Sequence, residues 1–114
     1  MEHLIDMNCK ICRAGAPNVT EQEISILKPQ VQSWTLVNRD EIRRLERVFA
    51  FENFSEALDF TNRVGKVADE ERHHPAILTE WGRVTVTWWT HIIRGLHRND
   101  FVMAAKTDEL YSID

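Results

Sequence analysis

Two cysteines, three prolines and four glycines in 114 residues leave little of the material from which special architectures are made. Cys9 and Cys12 cannot build a disulfide framework, so an apolar core has to hold the fold, and the sparse thiols agree with a reducing compartment. The composition is neither collagen-like nor that of a disordered chain. No apolar run approaches the roughly 20 residues that a transmembrane helix needs. Met1 to Asp6 carries acidic residues where a secretory leader would be basic, and no apolar segment follows. A cytoplasmic protein without membrane contact is expected. Positive charge is scarce too: 14 Lys and Arg against 18 Asp and Glu leave a net charge of −4, which argues against a nucleic-acid binder. What is present, 43% hydrophobic and 28% charged residues, suits one small globular domain, since two cores would each have too little surface to bury.

Residues 1–19 lack a hydrophobic period and contain Gly15, Pro17 and Asn18, so they are expected to be a flexible N-terminal arm, with a single domain over 20–114. Thr20 and Glu23 have capping-box spacing, and Ile24, Leu27 and Val31 continue at helical steps until Pro29 ends or bends the helix. Trp34 to Val37 and Leu45 to Phe51 read as two strands of a hairpin joined by Asn38 to Glu41. Ser55 is a candidate N-cap for a second helix, whose Ala57, Phe60, Thr61, Val64, Val67 and Ala68 make one apolar stripe. Pro75 disfavours helical geometry at His74 and ends that helix before the paired histidines. Ile77 to Glu80 and Arg83 to Thr90 flank a Trp81-Gly82 turn, and Asn99 and Asp100 open a last helix, with Tyr111 to Asp114 expected to fray. This order predicts an α+β fold: a four-stranded antiparallel sheet with helices packed on one face.

Five histidines occur, at positions 3, 73, 74, 91 and 97. If Trp81-Gly82 is a two-residue turn, Glu80 opposes Arg83, and extending the ladder sets His74 against Trp89 and His73 against Thr90, with His91 just beyond. By alternation His74, Trp89, Thr87 and His91 share one face, opposite the Val84, Val86 and Trp88 face that packs on the helices. Three imidazoles from distant positions thus converge. Their ordinary pKa lies nearest neutrality, so such a cluster can donate and accept protons in one site. A helix C-terminus favours imidazolium at His73 or His74, while crowding among imidazoles favours the neutral form. Asp100 is placed to orient an imidazole or to cap a helix, and Asp69, one turn before His73, is a candidate contact for it.

Blander readings stand beside this one. His73-His74-Pro75 alone is commonly a polar connection, and three histidines also suit zinc with an open fourth position. Cys9 and Cys12 are half of a four-ligand zinc set whose other half is missing. Trp34, Trp81, Trp88 and Trp89 at strand spacing usually serve as core or interface, and only Trp89 shares the histidine face.

His73-His74-Pro75, then Val84-Thr85-Val86 running into Thr90-His91, then Gly95-Leu96 and Asp100, resembles the pterin-4a-carbinolamine dehydratase family. The similarity extends upstream through Trp34 and the Phe51, Phe54, Ala57, Phe60, Val64 stripe, and covers about residues 20–108. The resemblance implies a lyase that removes water from 4a-hydroxytetrahydropterin, recycling the cofactor of aromatic amino acid hydroxylases, with phenylalanine hydroxylase a functional neighbour. It implies no metal and no cofactor of its own, and a dimer or tetramer. By position, His73 and His91 resemble the acid/base pair and His74 the main substrate-binding imidazole. Pro75 and Thr90, with the main chain through His91, Ile92 and Ile93, would line the pterin pocket; Asp100 and Asp69 would be supporting carboxylates, and Trp89 a supporting aromatic. The chain departs from the vertebrate pattern at Asp69 (Glu there), Arg72 (acidic there) and Ile77 (aromatic there). A non-catalytic regulatory protein on the same fold is the alternative.

Overall fold

The computed structural model describes residues 3–7 and 16–112; Cys9 and Cys12 lie outside them. Helix α1 spans Glu21–Leu27, and its capping box is closed on both sides, Glu23 N–H to Thr20 Oγ1 at 3.1 Å and Thr20 N–H to Glu23 Oε1 at 2.9 Å. At Pro29 the helix tightens into a 3-10 turn, Lys28–Val31. Strand β1 (Thr35–Arg39) and strand β2 (Ile42–Ala50) follow, then helix α2 (Phe54–Glu71), strand β3 (Ala76–Glu80), strand β4 (Arg83–Trp88), a 3-10 turn (His91–Ile93) and helix α3 (Arg98–Ser112).

The sheet is antiparallel throughout in the order β1-β2-β4-β3, so both hairpins are local and β2 pairs with β4 in the middle. Leu45, Phe49, Val84, Val86 and Trp88 share the helix-covered face and are buried, joined by Phe60, Val64 and Ala68 of α2 and by Phe101 to Ala104 of α3. The α+β expectation of a four-stranded antiparallel sheet holds. Each large apolar side chain buried here contributes roughly 1.5–3 kcal/mol.

Four local expectations differ from the structure. Strand β2 begins at Ile42 rather than Leu45, because Asp40 and Glu41 both take positive φ (55° and 64°) and close a two-residue turn that lets polar Arg43 and Arg44 into the ladder. The α2 N-cap is Asn53, whose Oδ1 accepts from Glu56 N–H at 2.8 Å; Ser55 already lies inside the helix. Tyr111 is not frayed: its ring packs on Phe49, Phe51 and Phe60, and its hydroxyl donates to Ala50 O. Within the expected arm, Leu4 is buried in the core, and its N–H donates to Gln30 Oε1. An isolated apolar residue gives no period, so sequence patterning could not register that anchor.

Helix α2 ends with Arg72 in left-handed geometry (φ 55°, ψ 39°), with Arg72 N–H to Asp69 O and His73 N–H to Ala68 O completing a Schellman closure. Glycine usually occupies that position, because a Cβ there costs roughly 1–2 kcal/mol. Arg72→Gly is therefore expected to stabilise the protein by about 1 kcal/mol, as is Asp40→Asn combined with Glu41→Gly, each read as a higher urea midpoint at unchanged slope. An unchanged or lower midpoint in both would refute this account of the turns.

Candidate active site

The α2 closure and Pro75 together turn the chain so that His73 faces the end of the sheet. Its ring stacks parallel to Trp88, centroids 5.7 Å apart and planes 5° apart, and its side chain is only 10% exposed. His73 Nε2 lies 2.6 Å from Asp100 Oδ1, and Asp100 is fully buried. The other carboxylate oxygen, Oδ2, accepts from Thr90 Oγ1 at 2.8 Å and from His97 N–H at 2.9 Å. With both oxygens of a buried carboxylate used as acceptors, Nε2 of His73 is the donor and Nδ1 is left as the basic nitrogen. Charge-assisted bonds of this kind set the orientation of a ring more firmly than neutral ones.

Thr90 is itself held by Gly95, through Thr90 N–H to Gly95 O at 2.8 Å and the reverse bond at 3.3 Å, which pinches off the turn carrying His91, Ile92 and Ile93. Gly95 packs closely on Asn18: a Cβ there would meet the end of the Asn18 side chain at 2.7 Å, and that side chain would have to move. His91 is exposed and lies on Trp89 with centroids 4.3 Å apart, and the Arg44 guanidinium lies over the Trp89 ring, 4.5 Å from its centroid. Arg44 Nε is buried without a hydrogen-bond partner. His74 is exposed and its Nε2 lies 2.9 Å from Asp69 Oδ1, also exposed; surface pairs of this kind contribute little.

The structure gives each of the expected imidazoles its own partner. The Trp81-Gly82 turn and the Glu80 to Arg83 register are as expected, with φ +76° at Gly82, but the ladder stops at Ala76 opposite Thr87 and does not extend to the histidines. His73 lies with Trp88 and Thr90, while His91 sits with Trp89, so each of the three imidazoles is held by a different partner. Asp69 contacts His74 rather than His73, because the left-handed Arg72 swings the chain after α2 away from the helical path. Asp100 does both things expected of it, orienting an imidazole and capping α3. Pro75 is half-buried between the two histidine positions and β3, Ile92 is exposed and Ile93 half-buried. Among the described residues, no group of three or more His, Cys, Asp or Glu is arranged to hold a metal ion. A cavity of about 580 Å³ lined by Leu4, Gln30, Arg47, Asp108 and Tyr111 involves none of the expected site residues.

One participant escaped the sequence reading. His97 is the residue before α3, its Nδ1 accepts from Asn99 N–H at 3.0 Å, and its own N–H reaches Asp100. The spacing from His97 to Asp100 is that of a capping box with imidazole in place of a hydroxyl, and that spacing was the available signal.

Fold and site define a small α+β domain with two carboxylate-bonded imidazoles, His73 and His74, beyond the ends of α2 and of an antiparallel sheet. The chain belongs to the pterin 4 alpha carbinolamine dehydratase family, whose pattern matches residues 17–110. A relative from Nitrosococcus oceani is 63% identical over 96% of this chain and 97% of its own length, and one from Syntrophotalea carbinolica is 56% identical over 96% and 98%; both carry the name pterin-4-alpha-carbinolamine dehydratase provisionally. Of solved structures, a transcriptional coactivator/pterin dehydratase from Brucella melitensis matches at TM-score 0.74 and 28% identity over 83% of this chain and 99% of its own. A pterin dehydratase-like protein identified as a RuBisCO assembly factor in the alpha-carboxysome matches at TM-score 0.59 and 22% identity, over 69% and 89%, and shares the fold.

Burial lowers the His97 imidazole below its ordinary value of 6.5, opposed by Asp100. The unfolded chain then takes up that proton first as pH falls, so the associated stability is complete above about pH 6.5 and declines as pH drops below it. Urea midpoints across this range are expected to fall more steeply for wild type than for His97→Ser. Asp100→Ala strands three donors and is expected to destabilise by about 3 kcal/mol, against about 1 kcal/mol for Thr90→Val.

Proposed function

We propose that this protein dehydrates 4a-hydroxytetrahydropterin to quinonoid dihydropterin plus water by histidine acid/base catalysis, making it a 4a-hydroxytetrahydrobiopterin dehydratase. The observation that carries the reading is His73 fixed by the buried Asp100 carboxylate within a chain of this family. The C4a–O bond breaks, the leaving hydroxyl takes a proton to depart as water, and a ring N–H proton is removed to complete the quinonoid product. His73 and His91 are the proposed acid/base pair, and His74 the main substrate-binding imidazole. Pro75, Thr90, His91, Ile92 and Ile93 line the pterin pocket, with Asp100, Asp69 and Trp89 in support. An imidazole whose one nitrogen is tied to a carboxylate presents the other in a defined direction, which is what proton transfer to a bound ring requires. The product would return to aromatic amino acid hydroxylases, phenylalanine hydroxylase first among them, in the cytoplasm, and the protein would act as a homo-oligomer.

Ultraviolet-monitored decay of freshly generated 4a-hydroxytetrahydropterin tests this directly. Wild type is expected to accelerate the decay, and His73→Ala, His74→Ala and His91→Ala each to lose roughly a hundredfold to ten-thousandfold in rate with the fold intact. Losses of only a few-fold at every histidine would remove the assignment. Wild type without activity, together with partner capture that survives a triple His→Ala change, would establish the non-catalytic binding alternative.

A further inference from the structure

We propose that His97 is a positioning residue of this site: as a neutral imidazole it caps α3, and through that cap it fixes the Asp100 carboxylate that orients His73. The inference rests on the functional reading above and adds to it a residue outside the catalytic set. Three bonds define the cap. Asn99 N–H donates to His97 Nδ1 at 3.0 Å, Asp100 N–H donates to His97 O at 3.0 Å, and His97 N–H donates to Asp100 Oδ2 at 2.9 Å. The carboxylate that closes the cap is the one bound to His73 and Thr90, so the first turn of α3 and the orientation of His73 depend on the same two oxygens.

A nitrogen that accepts a backbone N–H carries no proton of its own, so the ring hydrogen of His97 is on Nε2. Protonation of Nδ1 would set N–H against N–H and open the cap. The usual capping residues, Ser, Thr, Asn and Asp, do not change charge near neutrality, whereas imidazole does. The ionisable groups facing His97 are Arg98 and Asp100 of α3, His73 of the α2 to β3 connection, and Glu23 of α1. Burial is the largest influence among these surroundings and favours the neutral ring, as the cap requires. The cap is therefore complete at neutral and alkaline pH and is withdrawn on the acid side, taking the fixed position of Asp100 with it.

Wild type, His97→Ser and His97→Ala separate this role from a merely structural one. Serine keeps an acceptor at the cap without a titrating group; alanine removes the acceptor. Rates are to be measured from about pH 5 to pH 8, alongside ¹⁵N NMR of the imidazoles. At the alkaline end His97→Ala is expected to lower kcat by roughly threefold to thirtyfold with little change in KM, and His97→Ser to restore it. On the acid side wild type is expected to lose kcat earlier than His97→Ser. In the spectra His97 should show a bare Nδ1 and a protonated Nε2, and the His73 proton shared with Asp100 should persist in His97→Ser and disappear in His97→Ala. Superimposable pH profiles for wild type and His97→Ser, a fully active His97→Ala, or a protonated Nδ1 at alkaline pH would each overturn the proposal. Wild type inactive at every pH would count against the dehydratase reading instead, and the two NMR signatures would then decide the positioning role alone.

Discussion

The buried carboxylate of Asp100 is the point on which the rest of this structure turns. It sits on the first turn of α3, accepts from Thr90 just past β4, from the main chain ahead of α3, and from His73 after α2. Three separately formed parts of the chain are thereby tied to one anionic group. An ionised side chain removed from water is costly unless every lone pair finds a donor, and here each oxygen does. Removing any one donor leaves the others bonded to a poorly solvated charge, so the group is conditional on all its partners at once.

The surrounding backbone is built to bring those partners together. Left-handed residues at Arg72 and Arg94 terminate α2 and the 3-10 turn, and the Thr90 to Gly95 pair closes the loop that exposes His91. Neither left-handed position is a glycine, so each holds mild strain, Arg72 directly before His73 and Arg94 three residues after His91. Buried Trp88 supports the arrangement from the core side by stacking on His73, while Trp89 presents His91 outward. Trp88 is the last residue of β4 and Trp89 the first beyond it, so the two imidazoles are supported by neighbouring rings at the end of the sheet. Away from the site, Asp108 plays a comparable joining role, accepting from Trp34 Nε1 and Arg47 Nη1 and linking α3 to the chain before β1 and to β2.

The fold alone does not dictate an activity. A protein identified as a RuBisCO assembly factor shares it at 22% identity, and the Brucella melitensis protein is named both coactivator and dehydratase. What carries the activity reading is local: the chain has His73, His74 and His91, with a carboxylate already bonded to the first of them.

Much of this was legible in the chain itself. The capping box at Thr20, the helix stop before Pro75, the Trp81-Gly82 hairpin and the alternating β4 residues are all short-range features, set by interactions within a few residues, and the α+β class follows from them. The Asn53 cap was misplaced by two residues because Ser55 offers the same chemistry nearby, and the role of Tyr111 was lost because a residue near a chain end packs through contacts some fifty to sixty positions away. The candidate residues were readable; their hydrogen-bond partners were not. Strand alternation orders side chains only while the ladder lasts, and the ladder ends at Ala76, short of the histidines. Beyond it, the left-handed turn at Arg72 and the carboxylate 27 residues along the chain from His73 decide where each imidazole points. By itself, then, the sequence determined which elements form and which side chains are candidates for the chemistry, because those depend on residue type and on neighbours along the chain; only the tertiary structure decided which carboxylate holds which histidine, because that depends on neighbours in space.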